Sequence, residues 1–202
     1  LTSGDNNVAV GYQSLTANTT GGSNTSVGYK SLDANTTGSS NTSVGKSAMG
    51  AATTGDNNTG LGAGALGAVT TGSQNTAVGT SAGGGTTASN NTSVGYAALT
   101  ANTTADHNTA VGRSSLSANT TGTQNTALGS SAGRSCTTGD NNVAIGYASL
   151  DGATTAHNNV SIGRYAMIFN TTGSTNVAIG SNAMYANTTG NYNIGIGYAA
   201  LD

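Results

Sequence analysis

The sequence has no proline, no tryptophan and no glutamate, and it holds a single phenylalanine and a single cysteine, Cys136. One cysteine excludes an internal disulfide framework and a cysteine-rich zinc site. Without glutamate, and with scattered aspartates, no carboxylate pair for general acid–base work can be drawn. Charged residues are 6% of the chain, against about 25% in ordinary domains. The net charge of −2 leaves no basic patch for nucleic acid. No apolar run approaches the roughly 18 residues of a membrane-spanning helix. No secretory signal pattern is visible from Leu1 onward.

What is present is Gly, Thr, Asn, Ser and Ala in a fixed order. A Gly that follows Val, Leu or Ile stands at Gly11, Gly28, Gly45, Gly62, Gly79, Gly95, Gly112, Gly129, Gly146, Gly163, Gly180 and Gly197. Every step is 17 residues except Gly79 to Gly95, which is 16. An Asn stands four residues before each, from Asn7 to Asn193, and a Thr-Thr pair keeps the same period. The array runs through residues 1–202 as one continuous solenoid with no second domain.

Counting slots from that Asn, slot 2 is Thr, Val or Ile and slot 3 is Ala, Ser or Gly. Slot 4 is Val, Ile or Leu, slot 5 Gly, and slot 8 Ala or Ser. Slot 9 is Leu or Met except at Gly83 and Gly133, and slots 13 and 14 are the Thr pair. The missing residue falls in Gly83-Gly84-Gly85, where a loop absorbs it. Slots 2 to 5 alternate with period two, as strands do, and Gly-x-x-Asn supplies a turn. The expected fold is all-β, a parallel β-solenoid (β-roll) of about twelve 17-residue turns. A strand is expected at slots 2–5 and a second around slots 8–14. Slots 4 and 9, for example Ile145 and Leu150, are expected to form the apolar ladder, and the repeated Asn a ladder of amides. The slot 5 Gly is expected to permit a bend or close approach.

All charges occupy four slots. Slot 16 holds Asp5, Asp56, Asp106 and Asp140, and slot 10 holds Asp33, Arg134, Asp151 and Asp202. Slot 6 holds Lys46, Arg113 and Arg164, and slot 7 holds Lys30. Unpaired buried charge is costly, so these slots are expected to face water. Slots 1–5 carry no charge in any copy. A strand uncharged on both faces is expected to be covered on both, once by the coil interior and once by a neighbouring chain.

Val143-Ala144-Ile145-Gly146, Val160-Ser161-Ile162-Gly163 and Val177-Ala178-Ile179-Gly180 resemble the core motif of YadA-type trimeric autotransporter adhesin heads. The longer unit, Asn108-Thr109-Ala110-Val111-Gly112 through Asn119-Thr120-Thr121-Gly122, is similar to repeats of bacterial and phage tail-fibre-like surface proteins. The resemblance extends over all twelve units and implies a homotrimer of β-rolls used for attachment. The adhesin repeat is about three residues shorter, and its Asn sits one place farther from the Val.

The expected function is a non-catalytic structural or adhesive fibre segment, extracellular, on a cell surface or virion, with no cofactor and no metal. The alternative is a filament subunit stacking end to end, because the chain starts in slot 12 and ends in slot 10 without an atypical capping unit. Ice binding by the Thr pair is a minor alternative; adjacent Thr on a strand would point to opposite faces. His107 and His157 read as turn residues. Asn18-Thr19-Thr20 matches a glycosylation acceptor. The candidate recognition stripe lies in slot 6: Tyr12, Tyr29, Lys46, Tyr96, Arg113, Tyr147, Arg164 and Tyr198. Tyrosines with an apolar body and a polar tip, interleaved with cations, suit a host-surface glycan or protein; equally, stacked Tyr can shield the coil's corner.

Overall fold

The structure is a computed structural model and describes residues 4–85 and 87–201. Twelve three-residue strands, from β1 (Val8–Val10) and β2 (Thr25–Val27) to β12 (Ile194–Ile196), form one parallel sheet in sequence order. Val8 pairs with Thr25 and so on at 17-residue steps; the shortened unit pairs Thr76 with Thr92 without loss of register. Each slot 2 N–H donates up the stack and each slot 5 N–H donates down it. Val8 N reaches the Asn24 carbonyl and Gly28 N the Val10 carbonyl, both at 2.8 Å. At about 4.8 Å per strand, the twelve rungs span roughly 53 Å.

The second strand expected at slots 8–14 is not there: that stretch is a succession of turns. Slot 7 has a left-handed backbone in every rung, as at Gln13 (φ 53°) and Lys30 (φ 50°). Slot 9 does so from Leu15 (φ 54°) to Leu150 (φ 53°). An extended chain cannot pass through such residues. The turns still pair along the axis: Leu32 N donates to the Ala48 carbonyl at 3.0 Å and Thr19 N to that of Thr36 at 2.9 Å.

The sheet is also the other way round from the expected apolar ladder. Slot 3, not slot 4, points inward. Ser26, Ser43, Ala77, Ala110, Ala144 and Ala178 are buried, while slot 4 faces out, with Val44 37% and Leu128 48% exposed. The reason is space. The inward slot 3 faces slots 8 and 9, and beside Met49 and Met184 in slot 9 it is reduced to Gly. A Cβ on Gly60 would lie 3.0 Å from Met49 Cγ, and one on Gly195 2.8 Å from Met184 Cγ. Slot 9 is buried as expected, at Leu32, Met49, Leu66, Leu99, Leu116 and Leu150, each worth about 1.5–3 kcal/mol of burial. Serines in slots 8 and 3 pair inside, as Ser31 Oγ with Ser43 Oγ at 2.8 Å. Two apolar clusters result, one from Leu15 to Ala82 and one from Ala98 to Met184, and they meet at the Gly83-Gly84-Gly85 deletion.

The slot 1 Asn forms the expected ladder, and it is buried. Asn41 Nδ2 donates to the Gly55 carbonyl at 2.8 Å, and its Oδ1 accepts from Asn58 N at 2.9 Å. A second Asn, in slot 12, closes the same turn: Asn18, Asn35 and Asn119 each donate to the slot 15 carbonyl at 2.8–2.9 Å. Asn18 of the glycosylation-like triplet is therefore buried with its amide nitrogen bonded inward. Cys136 takes slot 12 in its rung, where burial pushes its thiol up to about 11.

Slot 16 makes a third, outer ladder. Ser39 N donates to Asp56 Oδ1 at 2.7 Å, Asp56 N to Ser73 Oγ at 3.0 Å, and Ser89 N to Asp106 Oδ1 at 2.6 Å. Asp140 N lies 3.0 Å from His157 Nδ1, and the Asp140 carboxylate 3.4 Å from the same nitrogen. His107 and His157 are turn residues, as expected, His107 with φ 62°. One charge departs from the expectation: Asp151 is buried, held by Arg134. Asp202, counted with slot 10, lies outside the described residues.

Candidate recognition surface

Because slot 3 points inward, slots 2 and 4 present Thr, Val or Ile and Val, Ile or Leu outward on every rung, and slot 6 flanks them beyond the slot 5 Gly. That Gly holds the corner. Its φ is between 124° and 137°, and a Cβ on Gly129 would lie 2.6 Å from the Gly146 carbonyl oxygen.

Tyr12, Tyr29, Lys46, Tyr96, Arg113, Tyr147, Arg164 and Tyr198 are all exposed. They form separate groups rather than one stripe, because Ala63, Thr80, Ser130 and Ser181 take slot 6 in other rungs. Tyr12 and Tyr29 stack at 5.4 Å between centroids, 13° from parallel, with Lys30 Nζ 5.9 Å from the Tyr29 centroid. Tyr147 meets the slot 7 Tyr165 edge-on at 5.3 Å, and the Arg164 guanidinium lies 4.6 Å from the Tyr165 centroid. Lys30 and Tyr165 join these groups although slot 7 is mostly small or polar. A left-handed backbone at slot 7 turns its side chain to the same edge.

Sequence reasoning missed another group, in slots 10 and 11. Most rungs hold Asp, Gly, Ser or Thr followed by Ala there. Consecutive rungs near the C-terminal end instead hold Arg134-Ser135, Asp151-Gly152, Ile168-Phe169 and Tyr185-Ala186. Arg134 Nε donates to Asp151 Oδ1 at 3.1 Å, and Phe169 meets Tyr185 edge-on at 5.0 Å between centroids. The signal was the chain's only phenylalanine, standing in a slot where no other unit has an aromatic residue.

The Thr pair divides its work. Slot 13 hydroxyls bond along the axis: Thr36 Oγ1 and Thr120 Oγ1 donate to the Thr53 and Thr137 carbonyls at 3.0 Å. Slot 14 is exposed, as at Thr37, Thr54 and Thr121. The pair thus offers one outward column of hydroxyls not bonded to the main chain of the next rung. Among the described residues no three His, Cys, Asp or Glu side chains converge on a point, and no helix is long and apolar enough to cross a membrane. No family model, curated protein or solved structure matches the chain.

Proposed function

We propose that this chain is a non-catalytic structural and adhesive fibre segment, whose rods associate laterally as a homotrimer on a bacterial surface or a phage tail-fibre-like organelle. The observation that carries the reading is the outward ladder of slots 2 and 4. It is a charge-free column of β-branched and aliphatic side chains continuous over twelve rungs, and a single rod leaves it partly uncovered. Contiguous apolar patches beyond a few hundred Å² mark association surfaces. The exposed slot 6 aromatics and cations beside this ladder supply polar-tipped contacts for a host-surface glycan or protein. The resemblance to adhesin-head and tail-fibre-like repeats points the same way.

Electron microscopy combined with mass measurement in solution tests the reading. Short rods with three times the chain mass of 19.4 kDa are expected. Monodisperse rods of single-chain mass at micromolar concentration would overturn lateral assembly, and long fibres of one rod's width would favour end-to-end stacking.

A further inference from the structure

We infer that the slot 10–11 edge around Phe169 is a carbohydrate-binding site, taking a single neutral pyranose ring at the end of a glycan. The repeat breaks here in sequence and in backbone together. In rungs from Leu15 to Leu150 the slot 9 residue has a left-handed backbone, but Met167, Met184 and Leu201 do not. The slot 9 N–H reverses with it. Leu116 N donates forward to the Ala132 carbonyl at 3.0 Å, whereas Met184 N and Leu201 N donate backward to the Ala166 and Ala183 carbonyls at 2.8 Å. The backbone change begins at Met167, in the rung that carries Ile168 and Phe169, and the reversed bond follows from Met184, in the rung that carries Tyr185.

The break leaves a cleft of about 230 Å³ lined by Arg134, Ser135, Asp151, Gly152, Ile168 and Phe169. Gly152 forms its floor against the next rung: its N–H donates to the Ile168 carbonyl at 2.8 Å, and a Cβ there would lie 2.4 Å from that oxygen. One wall is aromatic, with Phe169 50% exposed and braced edge-on by Tyr185. The other wall is the Arg134–Asp151 pair, in which the aspartate side chain is 10% exposed and the arginine 54%. The pair is internally neutral, which disfavours a cationic or an anionic ligand. It still offers acceptor lone pairs and guanidinium N–H donors in fixed directions. Concave sites with an apolar wall and few fixed polar groups are the usual form of small-molecule sites. A pyranose has the matching chemistry, a C–H face to lie on the Phe169 ring and a hydroxyl edge to pair with Asp151 and Arg134. The size of the cleft limits it to about one ring. The site needs no neighbouring rod, so it stands or falls apart from the trimer.

The test is a glycan array probed with the labelled full chain, followed by NMR titration with methyl glycosides of glucose, galactose and mannose. Binding to at least one neutral terminal pyranose is expected, with amide shifts at Gly152 and Phe169 and none at Thr37 or Thr54. Phe169→Ala and Asp151→Asn are each expected to weaken it at least tenfold, while Thr54→Ala, at an exposed slot 14 position, leaves it unchanged. Wild-type shifts keep the test decisive if a variant fails to fold. No binding to any neutral glycan, binding of charged glycans or peptides alone, or shifts confined to the slot 6 tyrosines would overturn the inference.

Discussion

At the scale of single residues, buried amides do the work that charge and large side chains do in other proteins. Asn41 is fully buried and makes three hydrogen bonds along the stack. Its own N–H donates to Asn24 Oδ1, its Oδ1 accepts from Asn58 N, and its Nδ2 donates to the Gly55 carbonyl. Asn41→Ala leaves Asn58 N–H and the Gly55 carbonyl without partners in a dry turn. Each such group costs about 1–3 kcal/mol, and chemical denaturation is expected to show a loss of that order or its double. Asp151 behaves differently. Burial raises its carboxyl above the usual carboxylate range, outweighing the attraction of Arg134 and the hydrogen bonds from Ser135. A raised carboxyl favours the folded state when protonated. Its contribution is therefore fully present below the ordinary aspartate value and is lost as pH rises through the raised one. The melting temperature of Asp151→Asn relative to wild type is expected to increase from acid to neutral pH; a constant difference would show that Arg134 compensates the burial fully.

At the scale of the element, each rung is a three-residue strand closed by turns that L-residues rarely adopt. Slots 5, 7 and 17 carry positive φ throughout, but only slot 5 is always Gly: its φ of 124–137° lies outside the left-handed well that slots 7 and 17 occupy, and the next rung's carbonyl stands close to the place of a Cβ. Gly129→Ala meets both penalties, φ of 136° and contact with Gly146. Strain of this kind costs about 1–3 kcal/mol before any clash. Ser131→Gly, at φ 58° in slot 7, is expected to be neutral or stabilising. Equilibrium unfolding of the two variants checks the contrast. The period, the strand (expected at slots 2–5, found at slots 2–4), the buried slot 9 and the Asn ladder were legible in the sequence, because stacking demands the same residue type in the same place. Which face of the strand turns inward was not. Val-Ala-Ile alternates equally well either way up, and the narrow interior that selects Ala144 over Ile145 is a property of the closed coil. The missing second strand was hidden because Gln13, Lys30, Leu15 and Leu32 hold left-handed conformations without the glycine that normally announces them. The Phe169 cleft was overlooked for the opposite reason: a periodic reading averages away a rung whose slots 10 and 11 carry unusual residues while the period itself holds.

At the scale of the whole molecule, the fold is close to one-dimensional, and each rung contacts its neighbours through the same ladders. Its outer sheet face has no charge with which to repel a second rod. Val78, 36% exposed in slot 4 midway along the sheet, is the place to install one. Val78→Lys is expected to leave the circular dichroism of the rod unchanged and to shift the mass from three chains toward one. Loss of structure together with assembly would mean that the face is needed for folding, and unchanged mass would place the interface elsewhere. The central claim is that successive 17-residue units lie directly above one another. Fibre diffraction from aligned rods measures this most directly: a meridional reflection near 4.8 Å is expected, and a helical 5.4 Å pitch reflection in its place would contradict the stack.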